Sequence, residues 1–194
     1  MTQSAWLPSL LEKSESRAWH EIVAFVSGVG LISLLAQIAI PLPWTPVPIT
    51  GQTLGVTLVA LLWGQKRRVA LVVSYLALGA SGAPVFANGA AFFVWGPTSG
   101  YLLGMILSAA LIGHLADRGW TKSLFKTWLA CALGSACVFA VGLFVLSYFI
   151  PSSLLLGAGL WPFLPGDLIK TLIAISIVRA HARIFIPEES ENLK

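Results

Sequence analysis

The sequence predicts an all-α membrane protein: a bundle of six transmembrane helices with both chain ends on the cytoplasmic side. Three observations predict it. Of the 194 residues, 57% are hydrophobic and 10% charged, against roughly 25% charged in an ordinary globular domain, and mean hydropathy is +0.84. The 12 basic and 8 acidic side chains cannot cover the surface that a soluble domain of this size leaves in water. The charges are also segregated: Ile22 to Gln65, Val69 to Ala116 and Thr127 to Gly166 contain no Asp, Glu, Lys or Arg. A helix needs about 20 residues to cross ~30 Å of hydrocarbon, so each stretch holds two crossings. A soluble protein and a disordered chain are both excluded, and the length leaves nothing for a second domain.

The elements follow from what interrupts each stretch. Near their middles stand PLPWTPVPITG, SGAPVFANGAAFFVWGP and PSSLLLGAGLWPFLPG, which are turn and breaker sequences. The predicted helices run Ile22–Ile40, Thr53–Trp63, Val69–Ala80, Thr98–Ala116, Trp128–Ile150 and Phe163–Ala182. The second and third are short for a full span. Either the bilayer thins around them or flanking residues such as Gln52 and Gln65 lengthen them. Residues 1–21 read as a cytoplasmic tail with Trp6, Leu7, Leu10 and Leu11 on its apolar side, 22–186 as one membrane domain, and 187–194 as a second tail. Glu12, Lys13, Glu15 and Arg17 stand where a secretory signal has its apolar centre, so no cleaved signal is expected.

Orientation comes from the basic residues. Lys13 and Arg17 precede the first helix, and Lys66, Arg67 and Arg68 separate the second from the third. Arg118, Lys122 and Lys126 separate the fourth from the fifth, and Arg179, Arg183 and Lys194 close the chain. All of these fall on one side, the cytoplasmic side by the positive-inside bias, and the three opposite loops carry no charge. The pI of 9.3 thus reflects topology and anionic lipid rather than nucleic acid. Cys131 and Cys137 lie about 9 Å apart along one helix and point to different faces, so they cannot pair and read as small packing residues.

No phosphate loop, H-E-x-x-H or Cys/His cluster is present, so neither a metal nor a cofactor nor catalysis is expected. Gly79-Ala80-Ser81-Gly82 matches the G-x-S-G of rhomboid proteases. However, His20, His114 and His181 fall on the cytoplasmic side while Ser81 falls on the other, beyond reach of proton transfer.

One basic residue breaks the pattern. Lys170, in GDLIK, precedes Arg179 by nine residues, about 13 Å along a helix, which puts it near mid-membrane. An unpaired lysine there costs at least ~2.5–3.5 kcal/mol, and intramembrane ions mark functional sites by default. Asp167, three residues earlier, shares its helix face. One reading is structural: Asp167 caps the helix and pairs with Lys170. The other places both at the base of a polar ligand site open to the outside. The uncharged outer loops supply Trp44, Gln52, Asn88, Phe92, Phe93, Trp95, Tyr101 and Trp161, rings and amides suited to a small-molecule pocket, though an interfacial aromatic belt also uses tryptophan.

PVPITGQTLGV (47–57), GAPVFANGAAFFVWGPTSGYLLG (82–104) and PGDLIK (165–170) together resemble the BioY family, the biotin-specific S components of energy-coupling factor (ECF) transporters. The likeness runs from the first helix to the last. It implies a six-helix bundle in the bacterial cytoplasmic membrane, with a pocket near the outer face that captures biotin without a metal. It implies Asp167, Lys170 and Asn88 as biotin contacts, and Gln52 and Tyr101 fall in the matching motifs. Asp167 can accept from the ureido N–H groups, Lys170 can meet the ureido oxygen or the carboxylate, and Trp95 or Phe92 can cover the fused rings. The partners implied are a membrane scaffold (T) subunit and two cytosolic ATPases. Family docking uses a small-residue face on the first helix, for which Ala24, Ser27 and Gly28 are the nearest match. The alternatives are an S component for thiamine or riboflavin, or a non-transporting scaffold in which Asp167 and Lys170 only fix helix register.

Overall fold

In the computed structural model, which describes residues 17–64 and 67–185, six long helices fill the apolar stretches. They are α1 (Arg17–Ala36), α2 (Gln52–Leu62), α3 (Arg68–Ala80), α4 (Ser99–Asp117), α5 (Leu124–Leu146) and α6 (Leu164–Phe185). Each corresponds to a predicted helix, and the larger boundary differences have local causes. α1 ends at Ala36 rather than Ile40 because Pro41 disfavours helical backbone in the residue before it. Ala39–Ile40 (β1) instead pairs antiparallel with Ile49–Thr50 (β2), Ala39 opposite Thr50. The Gln37 side chain ties off the helix end, donating from Nε2 to the Ser33 carbonyl at 3.0 Å and the Phe86 carbonyl at 3.2 Å. α5 starts at Leu124 rather than Trp128, because Ser123 is extended and its carbonyl accepts the Thr127 N–H at 2.9 Å. Lys126 therefore lies inside the first turn. A short helix, Leu155–Gly159, occupies the last outer connection, where only a breaker is predicted.

Four apolar segments are long enough to cross a bilayer: Trp19–Ala36, Ser99–Asp117, Leu124–Leu146 and Ser152–His181. α2 and α3, with 11 and 13 residues, reach only about 16 and 20 Å. Gln52 opens α2 without lengthening it. α2 is instead a central post, mostly buried and packed against α1, α3, α4 and α6. Protein surrounds its ends, and irregular backbone at membrane depth is tolerated where protein replaces lipid. α4 and α5 share the most extensive interface. Gly100, Gly104 and Ser108 face Gly134, Val138 and Gly142, and a Cβ on Gly104 would stand 2.8 Å from the Val138 Cα. Small residues at four-residue spacing allow such approach. Cys131 is buried and Cys137 half-buried, both unpaired.

The basic end holds a correction. Arg68 is not a loop residue but the first residue of α3, with its side chain only 3% exposed. Its Nη2 donates to Asp117 Oδ1 at 2.6 Å and its Nε to the Gly64 carbonyl at 3.1 Å. A Cβ on Gly113 would collide with the guanidinium. Arg67 pairs with Glu21 beside it. Of the residues expected at the docking face, Ala24 and Gly28 turn into the bundle. Both are buried: the Ala24 carbonyl accepts Trp63 Nε1 at 2.6 Å, and Gly28 lies against Leu71 and Trp63. Their smallness serves contact within the bundle. Ser27 is exposed, but its hydroxyl closes onto the Ala24 carbonyl at 3.1 Å. α1 begins at Arg17, within the stretch predicted as the 1–21 tail. Trp6, Leu7, Leu10, Leu11, Lys13, Gln65, Lys66 and residues 187–194 lie outside the described residues.

Candidate ligand-binding site

α2, α4 and α6 all begin at the end opposite the basic loops, and a cavity of about 350 Å³ lies among their first turns. That is the size of a small-molecule site. Val47, Pro48 and Thr50 border it from the α1–α2 connection, and residues 86–88 and 90–94 from the α3–α4 connection. Thr53, Met105, Ser135 and Val138 line its wall, with Asp167 and Lys170 beside them. The two charged residues do not pair: no salt bridge joins them among the described residues. Ser135 Oγ, from α5, donates to Asp167 Oδ1 at 2.8 Å. Lys170 Nζ donates to Thr53 Oγ1, on α2, at 3.0 Å. Asp167 does sit in the first turn of α6, where the helix dipole favours an acid, but its carboxylate turns to Ser135 rather than capping the helix.

The other expected site residues divide. Gln52 lines the cavity with its polar atoms already committed. Its Oε1 accepts from the Thr50 hydroxyl at 3.1 Å and its Nε2 donates to the Tyr75 hydroxyl at 2.5 Å. Tyr75 in turn donates to the Val85 carbonyl at 3.1 Å. Tyr101 also borders the cavity, but its hydroxyl donates to the Gly159 carbonyl at 2.8 Å, which makes it a tie to the last outer connection. Asn88 and Phe92 stand at the exposed rim, both with left-handed backbone (φ 56° and 64°). For a residue as bulky as Phe92 that conformation costs about 1–2 kcal/mol. Its N–H bond to the Gly79 carbonyl, at 2.7 Å, holds it in place. Trp95 is 60% exposed and outside the cavity lining, as are Trp44 and Trp161. Exposed rings of this kind suit an interfacial aromatic belt. Ser81, the rhomboid-like serine, donates to the Leu78 carbonyl at 2.8 Å.

Ser135 and Thr53 are the site residues that sequence reasoning missed. The signal for Ser135 is slight: it is the one hydroxyl deep within α5.

A profile of the BioY family matches residues 9–186. The chain belongs to the BioY family. It is 42% identical over 152 residues to the biotin transporter BioY of Thermotoga maritima, covering 76% of this chain and 87% of that protein. It is 34% identical over 167 residues to the biotin transporter BioY of Rhizobium etli, covering 80% and 88% respectively. The fold is similar to the crystal structure of an S-component for biotin from an ECF-type ABC transporter: TM-score 0.76, 29% identity, 86% of this chain and 94% of that one covered. This BioY-family chain is a multi-pass protein of the cytoplasmic membrane. The three segments that carry the resemblance, 47–57, 82–104 and 165–170, lie far apart in the chain and converge on the one cavity.

Proposed function

We propose that this BioY-family chain captures biotin at the outer membrane face and delivers it inward, as the substrate-binding S component of an ATP-driven importer. One observation carries the reading: an acid and a lysine from the same turn of α6 line a largely apolar cavity without pairing with each other. Biotin has the complementary chemistry. Its ureido edge sets two N–H donors beside one carbonyl acceptor, its thioether ring is apolar, and its tail is a carboxylate. Asp167 accepts from the ureido N–H groups, and Lys170 donates to the ureido oxygen or pairs with the tail. Asn88 adds an amide at the rim, and the Phe92 ring covers the apolar body. Hydrogen bonds to charged groups contribute about 1.5–3 kcal/mol each, so the site needs no metal or cofactor to hold the ligand, and the chain carries out no catalysis.

Biotin transporters among the relatives, and an S-component for biotin as the structural neighbour, support this reading. A membrane scaffold subunit and two cytosolic ATPases complete the importer. Isothermal titration of the detergent-purified chain with biotin tests it. Saturable heat at one ligand per chain is expected, with no displacement by thiamine or riboflavin. Absence of biotin heat overturns the proposal, and displacement by either vitamin reassigns the ligand.

A further inference from the structure

An acid and a lysine three residues apart on a helix are placed to meet, and low-dielectric surroundings strengthen their attraction. Asp167 and Lys170 nevertheless stay apart. The reason lies on two other helices. Ser135 of α5 donates to Asp167 Oδ1 at 2.8 Å, and Thr53 of α2 accepts from Lys170 Nζ at 3.0 Å. All four side chains line the cavity. Each hydroxyl occupies one bonding position of its charged partner and leaves the rest. Asp167 keeps its second carboxylate oxygen, and Lys170 keeps two of its three N–H donors.

We infer that Ser135 and Thr53 are positioning residues that hold the Asp167–Lys170 pair open, so that an acceptor and a donor stand ready side by side for a ureide edge. The inference rests on the biotin reading for its ligand, but its geometry is independent of the ligand. A direct ion pair would satisfy both charges, and an incoming ligand would have to break it before binding. A neutral hydroxyl satisfies part of each charge and does not have to be displaced. The site is thereby organised before the ligand arrives, which spares the cost of rearrangement on binding. The hydroxyls reach the charges because α2 and α5 both pack on α6, so the open gap is a property of the three-helix junction rather than of α6 alone.

The experiment has two arms. In the first, biotin titration is run on wild type, Ser135→Ala, Ser135→Thr, Thr53→Val, Thr53→Ser, Asp167→Asn and Ser135→Ala/Asp167→Asn, with thermal melting of each. Ser135→Ala and Thr53→Val are expected to weaken biotin about ten-fold without lowering the melting temperature. Ser135→Thr and Thr53→Ser, which keep the hydroxyl, restore binding. Ser135→Ala/Asp167→Asn binds no more weakly than Asp167→Asn alone, because Ser135 acts through Asp167. Wild-type affinity in Ser135→Ala or Thr53→Val, failure of the hydroxyl-bearing variants to restore it, or losses that add in the double variant would overturn the inference.

The second arm needs no ligand. A crystal structure of Ser135→Ala/Thr53→Val is expected to show Asp167 and Lys170 in direct contact, and a gap that persists without both hydroxyls refutes their role. A wild-type chain that ignores biotin while the variant pair collapses would sink the ligand assignment and leave the positioning role standing.

Discussion

The bundle holds a partly or wholly buried acid and base at two places and treats them in opposite ways. At the basic end, Arg68 and Asp117 touch directly at 2.6 Å, joining the start of α3 to the end of α4, and Gly113 makes room for the guanidinium. At the other end, Asp167 and Lys170 share one helix face yet each turns to a hydroxyl on a different helix. Charges that neutralise each other serve as a clasp between helices, and the atoms they leave over, Arg68 Nη1 and Asp117 Oδ2, are closed away inside the bundle. Charges held by neutral hydroxyls retain bonding capacity, and they retain it where the cavity is. The contrast separates an ion pair closed on itself from one left open toward a cavity, without reference to the ligand.

The largest expected effect falls on the clasp. Arg68→Ala leaves Asp117 partly buried without its cation, and removing one partner of a buried pair costs about 3–5 kcal/mol. The Asp117 side chain is 24% exposed, which places the loss at the lower end of that range. Thermal melting in detergent is expected to show a large drop, while the folded fraction binds biotin as wild type does. An unchanged melting temperature would remove the clasp. Lys170→Ala is expected to do the reverse: biotin binding weakens about ten-fold or more, equivalent to ~1.4 kcal/mol, and the melting temperature holds. A chain that melts early on losing Lys170 would make both pairs structural and erase the distinction.

The fold was legible because charge is so costly in hydrocarbon that its absence marks the spans and its presence marks their ends. What charge does not mark is where a helix stops. Pro41 follows the end of α1 inside an uncharged run, and α5 begins at Leu124, ahead of Lys126, inside a charged one. The acid and lysine of α6 were legible for the same energetic reason, but their partners were not. Hydroxyls in apolar helices commonly bond their own backbone, as Ser33 does to the Val29 carbonyl and Ser176 to that of Leu172. Only its place as the one hydroxyl deep within α5 separates Ser135 from these. Ala24 and Gly28 carry a different ambiguity: small residues permit close approach without saying from which side, and within this chain Trp63 and Leu71 are the neighbours.

The smallest effect is expected within the α3–α4 connection, where two exposed rings that look equivalent in sequence sharpen the division between lining and surroundings. Phe92 borders the cavity on a left-handed backbone, and Trp95, three residues on, does not border it at all. Phe92→Gly relieves the backbone strain, since glycine adopts positive φ freely, and removes the ring from the rim. Biotin dissociation measured by rapid mixing is then expected to speed up about three-fold to ten-fold, the loss of roughly 0.5–1.5 kcal/mol of aromatic contact. Trp95→Ala removes a larger ring from the same connection and is expected to leave the dissociation rate within about two-fold, because an interfacial tryptophan meets headgroups rather than ligand. If Trp95→Ala accelerates release as much as Phe92→Gly, the ligand reaches beyond the cavity drawn by the closed rim, and the outer loops fold over it further than this structure shows.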